Sequence, residues 1–138
     1  MRYALLVLVA LGGCGSPGWI LPEAEAVQIA DEELARRGIG ASDRSHTVAT
    51  SLLTLELDAW DPAMMVGYEY VADPDPELGT GSAYGELDGW EELQAAVDAA
   101  VGTDTHVLII HTWAHETEAL CRDQFLGNLQ GRLDALGL

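Results

Sequence analysis

The spacing of apolar residues divides the chain into stretches with a clear helical or strand period. In "LPEAEAVQIADEELARRG", residues 21–38, Val27, Ala30 and Leu34 recur at helical spacing with Ile29 beside them. This pattern predicts an amphipathic helix with one core-facing stripe. Pro22 suits its first turn, Glu23 and Glu25 complement the positive end, Arg36 and Arg37 the negative end, and Gly38 is a natural stop. After a loop, "IGASDRSH", the period changes to two. Leu53, Leu55 and Leu57 alternate with Thr54, Glu56 and Asp58, as in a half-buried strand. Asp61-Pro62 marks a turn, and Val66, Tyr68 and Tyr70 alternate on the return, which predicts a hairpin.

Residues 73–89, "DPDPELGTGSAYGELDG", read as a turn-rich loop, followed by a second helix in "WEELQAAVDAAVG" with Asp88 as N-cap and Gly102 as its end. "THVLIIHTW" is apolar on both faces from Val107 to Ile110 and is expected to lie centrally in a sheet. A long final helix covers "AHETEALCRDQFLGNLQGRLDAL", with Leu126, Leu129, Leu133 and Leu136 on one face. The order α-β-β-α-β-α predicts an α/β domain, with α+β as the variant: a small three-stranded sheet with helices packed on it. The link from the second strand through a helix to the third is long enough for a parallel crossover.

Composition narrows the partners. The chain has 138 residues, enough for one core, and carries a formal charge of −17 with six basic residues, all arginine. Such a chain repels phosphate backbones and lacks a basic stripe, which excludes nucleic acid as an expected partner. Anionic headgroups repel it as well, so any membrane attachment must be covalent or hydrophobic.

The leading run supplies such an attachment. Arg2 is followed by eight apolar residues, Ala4 to Leu11, a helix too short for a bilayer core of about 30 Å. Its end, Leu11-Gly12-Gly13-Cys14, resembles the lipobox of bacterial lipoproteins: an aliphatic residue, two small ones, then the cysteine. The resemblance implies a signal peptide over 1–13, lipidation of Cys14, a short tether over 14–21 and one domain over 22–138. It also implies a lipid-anchored envelope protein, and Gly15 after the cysteine favours the outer membrane over the inner. Cys121 is then left without an intramolecular disulfide partner and is expected to be buried. A second stretch, "LDAWDPAMMVGYEYV", resembles a segment of uncharacterised bacterial proteins and carries no chemistry.

Chemistry is concentrated in "VLIIHTWAHETEALC", residues 107–121. His111 and His115 are spaced as in a zinc-peptidase helix, but Glu116 lies outside the pair, where a catalytic base belongs between them. Glu118 extends the set to a possible His111/His115/Glu118 metal site, and with it a small metal-binding protein or metal-dependent enzyme. Spacing of four converges only on a continuous helix, however, and the apolar run before His111 is a strand. The expected reading is therefore a strand end and a helix start, with no cofactor. His106 lies about 17 Å from His111 along an extended strand, too far to share an ion.

Three weaker patterns complete the inventory. Asp73, Asp75 and Glu77 alternate like the first ligands of a calcium loop, but Leu78 and Tyr84 occupy its glycine and final-carboxylate positions. Gly79, Gly81 and Gly85 do not fit a dinucleotide fingerprint, and Ser82 is not in a nucleophile elbow. Glu56, Asp58 and Glu69 are a possible acid/base set, though carboxylates are ordinary on the wet face of a strand. Nothing here builds a catalytic constellation. The sequence predicts a lipid-anchored, non-catalytic binding or accessory module.

Overall fold

The computed structural model describes residues 19–72, 90–112 and 115–138. The signal and Cys14, the acidic and glycine-rich loop, and Asp88 lie outside these residues. The elements run α1 (Glu23–Arg36), β1 (Thr47–Ala49), β2 (Thr54–Glu56), β3 (Ala59–Asp61), β4 (Val66–Ala72), α2 (Trp90–Val101), β5 (His106–Thr112) and α3 (Glu118–Ala135). The chain is mixed α/β, as the periodicity predicts. Among the described residues, no helix is long and apolar enough to cross a membrane.

The helix ends follow from local chemistry. Thr117 caps α3, its side chain accepting from the Leu120 amide. At the C-terminal end of α1, Gly38 takes φ +76° while the Ile39 amide reaches back to the Leu34 carbonyl at 2.9 Å. The same closure ends α3, with Gly137 at φ +76° and Leu138 donating to Leu133. Both are Schellman turns, which satisfy carbonyls that the helix leaves without partners.

Among the described residues, two small sheets form. The larger has the order β3-β4-β5, with β3 antiparallel and β5 parallel to β4. One of its faces carries Tyr68, Tyr70, Leu108 and Ile110 against Ala30 and Leu34 of α1 and Phe125, Leu129 and Leu133 of α3. The other carries Val71, Val107 and Ile109 against Leu93 and Val97 of α2, with Trp60 and the β1–β2 pair. Each large side chain buried in these layers contributes about 1.5–3 kcal/mol.

Three expectations need correction. The alternating run Leu53–Asp58 is not the partner of Val66–Tyr70. Its middle, β2, pairs with β1, inside a stretch whose polar residues gave no strand signal. The partner of β4 is β3, a segment three residues long. The chain leaves the first pairing at Leu57, whose amide donates to the His46 carbonyl, and enters the second at Asp58, whose amide donates to the Tyr68 carbonyl.

The second correction concerns β5. It is buried on both faces, but it lies at the edge of the sheet. Its outer edge is sealed by side chains instead of a strand. Gln94 donates to the Val107 carbonyl and accepts from the Ile109 amide, both at 2.8 Å, in place of a neighbouring peptide. Arg132 donates to the Ile109 carbonyl at 2.7 Å and Asn128 to that of His111. Such sealing withholds the edge from another chain.

The third concerns the helix stripes. Ala26, Ala30, Glu33 and Leu34 are the buried positions of α1, and Val27 is only half-buried. On α3 the buried stripe is Cys121, Phe125, Leu129 and Leu133, while Leu126 and Leu136 flank it. Burial of Cys121 agrees with expectation.

Candidate functional site: an acidic cleft

A cleft of about 390 Å³ opens between the start of α1, the segment entering β3, and β4. Its walls are Glu23 and Val27 of α1, Glu56, Leu57 and Asp58, Glu69 of β4, and Arg44. Each part follows from the fold. Glu23 and Val27 are one helical turn apart on α1. Glu56 and Asp58 straddle Leu57, which is buried and fixes their direction. Glu69 lies between Tyr68 and Tyr70, whose rings bury on the opposite face of the sheet, so its carboxylate emerges on the side of the second core, 8% exposed.

Hydrogen bonds hold the rim in place. Glu69 Oε2 accepts from the Asp58 amide at 3.2 Å, and Asp58 Oδ2 accepts from the Tyr70 amide at 2.7 Å. The second bond replaces a strand partner where β3 has not yet begun. Arg44 donates from Nη2 to Asp31 Oδ2 at 2.6 Å and from Nη1 to the Asp58 carbonyl at 2.5 Å, clamping α1 to this segment. Burial alone would make the guanidinium easier to deprotonate. The hydrogen bond and charge of Asp31 outweigh that and raise its pKa. Burial, then the charges of Asp31 and Asp58, push the Tyr68 hydroxyl well above its ordinary range despite Arg44. Tyr68 is neutral at any working pH.

The cleft therefore gathers Glu23, Glu56, Asp58 and Glu69 around one arginine whose two terminal nitrogens already have partners. Carboxylates so placed can accept charge-assisted hydrogen bonds from N–H donors. Among the described residues, no three His, Cys, Asp or Glu side chains form a group that could hold a metal ion.

The histidine stretch arranges differently. β5 ends at Thr112 and α3 begins at Glu118, so His111 and His115 belong to separate parts of the chain. His115 forms an isolated antiparallel bridge with Trp19, and its Nε2 lies 2.5 Å from Gln124 Oε1. Glu118 is exposed and pairs with Arg122 at 3.1 Å. The His115 and Glu118 side chains are each drawn to a partner on α3, and the grouping imagined from the string is not assembled.

A second cleft, of about 520 Å³, lies at the start of β5 between the C-terminal ends of α2 and α3. Its wall includes Asp98, His106 and Arg132, the same arginine that seals β5.

Sequence reasoning named Glu56, Asp58 and Glu69 but treated them as one wet strand face. It missed Glu23, read as a helix-end charge, and Arg44, read as loop. No local spacing links residues 23, 44, 58 and 69; only packing of α1 across the sheet does. Compared with known proteins, the chain matches no family model, no curated protein and no solved structure.

Proposed function

We propose that the chain is a lipid-anchored, non-catalytic binding module of the bacterial cell envelope, fixed through Cys14 and placed at the outer membrane. It presents the acidic cleft to a cationic group, of the guanidinium or ammonium kind, on a small molecule or a protein. The observation that carries the binding reading is the make-up of that cleft: Glu23, Glu56, Asp58 and Glu69, with Arg44 held by Asp31 and the Asp58 carbonyl. The lipobox-like Leu11-Gly12-Gly13-Cys14 supports the anchor. A net charge of −17 favours cationic partners at long range and weakens with salt.

A short arginine-glycine peptide titrated into the full acylated chain in detergent tests the cleft, with amide shifts read by NMR. Saturable shifts centred on residues 56–58 and 69 are expected, weakening several-fold in Glu69→Gln and with rising salt. Absence of saturable binding, or binding indifferent to Glu69→Gln, contradicts the reading. Turnover of any substrate that Glu69→Ala abolishes contradicts its non-catalytic part.

A further inference from the structure

The described chain starts at Trp19, and Trp19 is fixed to one pole of the domain. Its amide donates to the His115 carbonyl at 2.6 Å, and its carbonyl accepts from the His115 amide at 2.9 Å and the Cys121 thiol at 2.8 Å. Two residues on, the Leu21 carbonyl accepts from the buried Tyr70 hydroxyl at 2.7 Å, and the Leu21 side chain is 1% exposed. This strap closes over the ends of β4 and β5 where α3 begins. The other pole holds the β3–β4 turn, with Met64 and Met65 exposed and the Met65 carbonyl accepting from the His106 amide at the start of β5.

Resting on the acylation of Cys14 proposed above, we infer that the Trp19–His115 pole is held against the bilayer surface and that the Met64–Met65 pole faces away from it. The partner of the proximal pole is the lipid surface itself. Lengths decide the orientation. Cys14 and Trp19 are five residues apart, a reach of at most about 18 Å. β4 and β5 are seven residues each and separate the poles by about 20 Å before the turn is added. A domain of this size is about 35 Å across. An inverted domain, with Met64 at the lipid, would carry Trp19 beyond the reach of its tether. The acidic surface makes no attraction to anionic headgroups that would offset this constraint. The cleft at the start of β5 therefore opens toward the aqueous side.

The test uses the acylated full chain in phosphatidylcholine vesicles carrying a headgroup-linked acceptor dye. Donor labels are placed singly at Ala119→Cys, exposed in the first turn of α3, and at Met64→Cys; buried Cys121 is left in place. Energy transfer from position 119 is expected to exceed that from position 64 several-fold. A Gly/Ser insertion of about twelve residues after Pro17 raises the maximal reach to about 60 Å, beyond the domain's width, and is expected to shrink the difference. Equal transfer from both labels, or stronger transfer from position 64, in a chain that floats with vesicles overturns the orientation while leaving the anchor standing. A chain that does not float with vesicles overturns the anchor, and the orientation with it.

Discussion

At the residue scale, single atoms decide several positions. A Cβ on Gly67 would lie 2.7 Å from the Ala59 carbonyl, 2.8 Å from Trp60 Cε3 and 3.0 Å from Leu57 Cδ1. Backbone on one side and a packed indole on another leave it no room. Gly67→Ala is therefore expected to destabilise by roughly 1–3 kcal/mol, read from the urea midpoint. A loss below about 0.5 kcal/mol, the ordinary range for surface positions, would contradict this packing.

Asp61 is the clearest acid-sensitive residue. Burial pulls its pKa up, but amides of Met64, Gly40 and Ala63 outweigh that and hold it below the usual carboxylate range. A depressed folded-state pKa gives stability that is fully present above the unfolded value, about 3.9, and is lost as pH falls below it. Asp61→Asn is expected to lower stability at neutral pH and to flatten the fall below about pH 4. An unchanged acid limb in urea titrations across that range would contradict the assignment. Neither residue announces itself in the sequence. Asp61 reads only as half of an Asp-Pro turn, and Gly67 falls between the alternating Val66 and Tyr68 with nothing local to mark it.

At the element scale, helices were legible because their signals are local: periodic apolar residues, Pro22 at a start, Gly38 and Gly102 at ends. Pairing of strands was not, because it depends on residues distant in sequence. The Leu53–Leu57 alternation correctly marks a half-buried strand. Nothing within it specifies Val48 in place of Tyr68 as its neighbour. The apolar run Val107–Ile110 likewise reports burial on two faces but not the edge. The edge is managed by Gln94, whose amide stands in for a strand. Gln94→Leu leaves the Val107 carbonyl and Ile109 amide without that partner and is expected to cost about 1–3 kcal/mol per orphaned group. Chemical denaturation, with exposed Glu91→Gln on the same helix as a control expected within about 0.5 kcal/mol, checks it. Equal effects of the two substitutions would mean that water satisfies the edge and the amide does not.

At the scale of the whole molecule, the α/β layering was readable and the acidic cleft only in part. Glu56, Asp58 and Glu69 were visible as a set, whereas Glu23 and Arg44 join them through packing of α1 alone. The histidines read as a strand end followed by a helix start, because a spacing of four converges only on a continuous helix, and Thr112 does end β5 between them. The proposed orientation of this acidic domain depends on the proposed thioether at Cys14. Intact-mass analysis of the protein from the membrane fraction tests it most directly. The predicted species starts at Cys14 and carries acyl mass on that residue, and Cys14→Ser abolishes both the added mass and membrane retention. A protein starting at another residue, or unmodified at Cys14 in the same fraction, would contradict the account.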